Sequence, residues 1–518
     1  MEVPVNEGET DNMVDIPSEE IRTRLRKYLP QSQALQLIPE AMARKYTTIP
    51  LSVGDGILQV AMANPADIFA LEALASQTQM HIQPEMASAE EIRDAIDFNY
   101  QSYEEIEKQV SNISLPGELI DEPIEADTST NAPVARALSM IIDEAVKARA
   151  SDIHLQPEED SLRIRYRIDG TLHDILSLPA SAAFPFISRI KILANMNIAD
   201  RHRPQDGQFS VKTKANQVID IRVGAMPTVY GEMMALRLLD KSRALMTLTD
   251  LGFSSESLEK YQEMLKVPYG MILVSGPTGA GKTTTLYASV NCLDLTGNNI
   301  ITIEDPVEYR FKRVNQAQVN TRAGLTFASG LRSVLRLDPD VILVGEIRDA
   351  ETAEIAIQSA LTGHLVLSSI HANDSVGVVM RLLNLDIEPF LVSSALIGVV
   401  SQRMLRTICP DCAQLIEVSS IEQETYTQVT GEERSKFLYG SGCKSCSNTG
   451  YQGRTGIFEI LSVTDEIRTM LLAGTTASQL RKAAVKEGMI PLIVDGMQKV
   501  KNNITTPSEV MRNAYSVD

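Results

Sequence analysis

Met-Ile-Leu-Val-Ser-Gly-Pro-Thr-Gly-Ala-Gly-Lys-Thr-Thr, residues 271–284, decides the fold. The apolar run at 271–275 is short enough for a buried strand, and a helical pattern follows through Leu293. Between them stand Gly276, Pro277, Thr278, Gly279, Ala280, Gly281, Lys282, Thr283 and Thr284, matching the pattern GxxxxGK[ST]. In a 518-residue chain of average composition that pattern arises by chance about 0.02 times. Glycines let backbone N–H groups converge on phosphate oxygens, and the helix N-terminus adds partial positive charge. The strand–loop–helix order therefore predicts a site for ATP. Lys282 is expected at the β- and γ-phosphates and Thr283 on Mg²⁺.

Working outward, the runs IITIED, VILVGE and HLVLSSI alternate with helical segments, which predicts a parallel sheet covered on both faces. Such sheets bind ligands beyond the carboxyl ends of their strands. Those ends carry Glu304-Asp305, Glu346 and His371. Two carboxylates, an imidazole and a phosphate loop suit hydrolysis: one carboxylate orients water and another holds the magnesium shell. Gly345 stands where such sites commonly place the metal carboxylate, so Glu346 serves metal, water or both, and its division of work with Glu304 stays open.

Upstream, residues 133–241 read as an α+β unit: a helix, strands at SDIHLQP and SLRIRYRID, a second helix, then QVIDIRVGAMP and GEMMALRLLD. Period-2 reading puts Arg222 opposite Ile219, Ile221 and Val223, and Arg237 opposite Leu236 and Leu238. By pattern alone these arginines suit surface ion pairs as well as fingers aimed at a phosphoryl group. Downstream, Cys409-Pro-Asp-Cys412 and Cys443-Lys-Ser-Cys446 form two CxxC knuckles, the spacing of a closed Zn²⁺ site. The interval 413–442 holds only Arg434 and Lys436 against five Glu, which argues against a nucleic-acid knuckle. Cys292 reads as a small buried hydrophobe.

The net charge of −19 is uneven. Residues 1–20 carry −7 and residues 101–130 another −7, leaving −5 for the other 468. An acidic tail and a solvated linker follow from this, and a protein that coats nucleic acid is disfavoured. The opening residues lack the basic and apolar regions of a secretory signal, and 355–373 is too polar for a membrane span, so a cytoplasmic protein is expected. Residues 21–98 form a small α/β unit with a hairpin at Gly54-Asp55-Gly56 and helices at 67–77 and 89–100.

The strings ITIEDPVEY, LRLDPDVILVGEIRDAETAEIAIQSALTGHLVLSSIHAND and SDIHLQP with RIRYRIDG resemble the secretion ATPase superfamily, whose members assemble type II secretion pseudopili and type IV pili. The resemblance covers about residues 40–515. It implies a RecA-like P-loop domain preceded by an α+β, PAS-like domain, with a small N-terminal adaptor domain, a four-Cys zinc insertion and a helical C-terminal region. It places Glu304 and Glu308 in an aspartate box, residues 345–349 in the Walker B region, and His364 and His371 in a histidine box. SSIHAND departs from the usual Thr-Leu pair yet keeps His371. Arg222 and Arg237 occupy the family's arginine-finger positions, and the cysteine loop resembles that of secretion and pilus-extension ATPases rather than retraction motors.

The resemblance further implies a homo-hexamer on the cytoplasmic face of the bacterial inner membrane, driven by ATP and partnered with an assembly platform and cytoplasmic adaptors, with no nucleic acid. Some members bind cyclic di-GMP through Arg-Leu-Gly-x-x-Leu. Here Arg24-Leu25-Arg26-Lys27-Tyr28-Leu29 puts Arg26 at the glycine, which disfavours that ligand. The expected division is 1–20 acidic tail, 21–100 adaptor domain, 101–132 linker, 133–241 finger-bearing domain, 242–408 ATPase core, 409–456 zinc insertion and 457–518 helical region. Two alternatives remain, a DNA-translocating motor and a nucleotide-gated scaffold without turnover.

Overall fold

The computed structural model describes residues 32–514 except 55, 90, 91, 94, 97–131, 214, 215, 240–245, 447 and 448. The acidic tail, the hexapeptide at 24–29 and nearly all of the linker lie outside the described residues.

The first unit is built on the expected hairpin, β1 (Thr48–Gly54) and β2 (Ile57–Met62), with Gly56 at a φ of 76° in the turn. β3 (His81–Met86) lies parallel to β2. The helix Ile68–Thr78 supplies the crossover, opened by Asp67, whose side chain accepts from the Ala70 N–H at 3.1 Å. Its core gathers Ile49, Leu51, Leu58, Val60 and Leu74.

The second unit is a six-stranded antiparallel sheet. Its strands are β4 (Ala150–Pro157), β5 (Ser161–Ile168), β6 (Thr171–Pro179), β7 (Gln205–Lys212), β8 (Val218–Thr228) and β9 (Gly231–Leu239), in the order β6-β5-β4-β9-β8-β7. Helices Ala132–Lys147 and Ala183–Leu193 cover one face, where Ile153, Leu155, Ile164, Tyr166, Ile221 and Leu236 are buried. Strict alternation in β5 and β8 leaves the other face polar, and both arginines stand on it. Within the covered layer Lys191, fully buried, pairs with Glu232 at 2.5 Å.

The third unit is a sheet of β10 (Gly270–Ser275), β11 (Ile300–Glu304), β12 (Asn315–Gln318), β13 (Val341–Ile347), β14 (Leu365–Ile370), β15 (Leu396–Ile408) and a closing strand, Tyr451–Ser462. Between β15 and that strand, residues 409–450 form an insertion with its own hairpin, β16 (Ala413–Glu417) and β17 (Lys436–Gly440), beside helix Ser420–Thr430. With Tyr451–Ser462 as β18, the sheet order is β12-β11-β13-β14-β10-β15-β18. Every pairing is parallel except β15 with β18. Apolar side chains fill both faces, as the continuous apolar runs require.

Four of these strands were legible as apolar runs; β12, β15 and β18 were not. β15 is interrupted by Ser401, Gln402 and Arg403, which mask its strand character. The segment expected to be helical from 457 remains strand to Ser462, because GIFEI sits against β15 with its side chains buried on both faces. Helices Asp465–Leu472, Ala477–Lys486, Leu492–Lys501 and Pro507–Ala514 then complete the chain. Cys292, read as buried, is exposed at the C-terminal end of its helix. No helix among the described residues is long and apolar enough to cross a membrane.

Candidate active site

β10 ends at Ser275, and the chain turns through Gly276, Gly279 and Gly281 at φ of 149°, 79° and 88°. A Cβ at Gly276 would lie 2.5 Å from the Gln402 carbonyl oxygen, so only glycine fits there. Helix Lys282–Cys292 begins at Gly281 with no side-chain cap, so the N–H groups of its first turn can serve a ligand. The Lys282 ammonium donates to the carbonyls of Gly276 at 2.7 Å and Pro277 at 3.1 Å. Burial lowers its pKa, while the charge of Glu346 acts to raise it.

The loop opens on a cavity of about 750 Å³ between the second and third units. All of residues 277–284 line it, joined by Glu304, Glu346, His371 and Arg237. The two carboxylates differ in their surroundings. Glu304 is buried and accepts from Thr302 Oγ1 at 2.6 Å, Gln316 Nε2 at 3.1 Å and the Tyr287 hydroxyl. Hydrogen bonding to Glu304 and burial together push the Tyr287 hydroxyl to a higher pKa, with burial the larger cause. Glu346 keeps 17% of its side chain exposed, accepts from Arg348, and sits 3.6 Å from His371 Nε2. His371 lies at the carboxyl end of β14 and reaches the cavity. His364 precedes the same strand, so it lies at the opposite end, its Nδ1 2.9 Å from the Ser359 carbonyl.

The arginines separate. Arg237, 60% exposed, lines the phosphate-loop cavity, and its Nε donates to Asp152 Oδ1 at 3.1 Å. Arg222 instead lines an adjoining cavity of about 1330 Å³, where it pairs with Glu308 at 2.7 Å and donates to the Val307 carbonyl at 2.8 Å. Arg222 thus crosses from the second unit to the third, whereas the ion pair of Arg237 with Asp152 stays within the second. A second crossing is not expected from the sequence: Asp169, in the β5–β6 turn, accepts from the Gly453 N–H at 3.1 Å and lies 3.9 Å from Arg454. By composition Asp169-Gly170 suits a hairpin turn, and nothing in the sequence ties it to residues 284 positions away.

The four cysteines of the insertion converge, their sulfurs all within 4.8 Å of one another. Neighbouring sulfurs stand 3.7 Å apart (Cys409–Cys443, Cys443–Cys446) and 3.9 Å apart (Cys412–Cys446). Four thiolates about 2.3 Å from a tetrahedral zinc would be about 3.8 Å apart. The N–H groups of Cys443 and Gly450 donate to Cys446 Sγ at 3.1 and 3.3 Å, as a thiolate requires. The residues present fit a closed metal site.

The sequence profile of the type II/IV secretion system protein family matches residues 127–512. The chain belongs to that family. An MshEN domain profile matches residues 15–105, covering the first unit. The type IV pilus assembly ATPase PilB of Myxococcus xanthus is 39% identical over 497 residues, 94% of this chain and 88% of that protein. Type II secretion system protein E of Dickeya dadantii is 42% identical over 410 residues, 79% of this chain and 81% of its own. Among solved structures, the pilus retraction motor PilT with bound ADP superposes with a TM-score of 0.51 at 27% identity, over 74% of this chain and 97% of that one. The ATPase DotB of Legionella pneumophila shares the fold, with a TM-score of 0.55 at 19% identity over 76% of this chain and 97% of its own. This family of secretion and pilus ATPases favours neither a DNA-translocating motor nor a scaffold without turnover.

Proposed function

We propose that this chain is a Mg²⁺-dependent ATPase that powers assembly of a type II secretion pseudopilus or a type IV pilus. The observation that carries it is one cavity lined by the phosphate loop, Glu346, His371 and Arg237, with its walls on two separate units. Residues 276–284 cradle the phosphates through backbone N–H groups, and Lys282 leaves the Gly276 and Pro277 carbonyls for the β- and γ-phosphates. Mg²⁺, held by Thr283 with Glu346 close by, would supply charge neutralisation on the phosphates. Glu346 is the better placed of the two carboxylates to orient water, since its exposed edge faces the cavity and Glu304 spends its oxygens on three donors.

His371 beside Glu346 senses or stabilises the third phosphate. Arg237 swings from Asp152 to the transferred phosphoryl group, and Arg222 draws the two units together through Glu308 or joins Arg237 as a second finger. Closure of the 133–241 domain on the ATPase core converts hydrolysis into movement. The site's position between units suits a homo-hexamer, peripheral to the cytoplasmic face of the inner membrane, working on an assembly platform. Residues 21–100 act as an adaptor that docks on a membrane-bound platform component. The Cys409, Cys412, Cys443 and Cys446 thiolates hold a structural Zn²⁺. Lys282→Ala tests the ATPase reading: phosphate release should fall at least a hundredfold, and an unchanged rate would sink it.

A further inference from the structure

Gln402 stands in the interrupted stretch of β15, one residue past the Ser275–Ser401 pairing that ends β10. It is 1% exposed, an expensive place for a primary amide unless both ends are satisfied. Its Nε2 donates to the Ala280 carbonyl at 2.5 Å, and its Oε1 accepts from Thr285 Oγ1 at 2.7 Å. Its own backbone oxygen sits behind Gly276, and a Cβ at Gly281 would come within 3.2 Å of its amide nitrogen. One side chain therefore joins the middle of the phosphate loop to the first turn of the following helix.

The Ala280 carbonyl belongs to the same peptide plane as the Gly281 N–H. In a trans peptide these two bonds point in opposite directions. Holding the oxygen against the buried amide of Gln402 directs the Gly281 N–H to the side of the loop away from that amide. Gly281 at a φ of 88° has no side chain to fix that plane itself. We propose that Gln402 is a positioning residue for nucleotide binding: it sets the direction of the Gly281 N–H and locks the loop to its helix, without touching the nucleotide. Through Ala280 it governs how tightly the diphosphate is held. This rests on the reading of residues 276–284 as the nucleotide site.

The test measures binding of a fluorescent ADP analogue with Mg²⁺ to the full chain, at a temperature where circular dichroism reports each variant folded. Gln402→Met keeps the volume and removes both hydrogen bonds; its affinity should fall about tenfold. Thr285→Val, which removes only the Oε1 contact, should weaken binding less. Gln402→Glu puts an acceptor oxygen against the Ala280 carbonyl unless the carboxyl is protonated. Its affinity relative to the parent should approach unity at acid pH and decline as pH rises. A folded Gln402→Met that binds within twofold of the parent overturns the proposal. Should that variant fail to fold, a Gln402→Glu ratio independent of pH overturns it instead. A parent chain that binds no ADP refutes the site reading rather than the role of Gln402.

Discussion

Replacing Glu346 and Glu304 separately by Gln distinguishes two carboxylates that share one cavity. Glu346→Gln is isosteric, leaves the Arg348 contact possible through its remaining oxygen, and removes the negative charge 3.6 Å from His371. A group that orients water or accepts its proton contributes about 10²–10⁴ to the rate. The barrier should thus rise by about 2.7–5.5 kcal/mol. Binding should not suffer, since a negative charge near the phosphates is lost and the loop is untouched. Glu304→Gln has a different signature. Its new NH₂ would face donors on Thr302, Gln316 or Tyr287, leaving at least one buried donor unpaired at a cost of about 1–3 kcal/mol to stability. Phosphate release at saturating Mg²⁺-ATP, beside equilibrium ADP binding and thermal unfolding, separates the two. A folded Glu304→Gln that hydrolyses more slowly than Glu346→Gln would refute the assignment.

Two further outcomes follow from buried groups. Lys191→Met leaves Glu232 buried without its cation and removes one of two donors to the Asp200 carbonyl, Gln205 Nε2 remaining, so the second unit should lose about 3–5 kcal/mol in denaturant unfolding. Adding Glu232→Gln should recover much of that loss. Cys443→Ser, or a strong chelator, should release one equivalent of zinc measured with a colorimetric indicator and lower the unfolding midpoint; absence of zinc in the purified parent would contradict the metal assignment.

Much of this was legible in the sequence because it depends on local pattern. Residues 271–284 specify strand, loop and helix by themselves, and alternation in QVIDIRVGA placed Arg222 on the polar face of its sheet. The two CxxC pairs announce a cluster because their spacing is itself the chemistry. What escaped depends on long-range pairing. Gln402 resembles any polar residue in a mixed segment until β15 is seen beside β10, and Asp169 reads as a turn until Gly453 lies against it. The different fates of Arg222 and Arg237 likewise come from domain placement: both sit on one face, yet only one lines the phosphate-loop cavity. His364 and His371 flank a strand of six residues, so the strand direction alone decides which can act.

The most direct test of catalysis at the gap between the two units is the ATP hydrolysis rate of Arg237→Ala, with ADP affinity measured on the same sample. Asp152 holds this guanidinium at the cavity wall, in reach of a phosphoryl group only if the second unit takes part in the reaction. Turnover should fall about 10³-fold or more with ADP binding little changed. Hydrolysis at the parent rate would contradict this expectation.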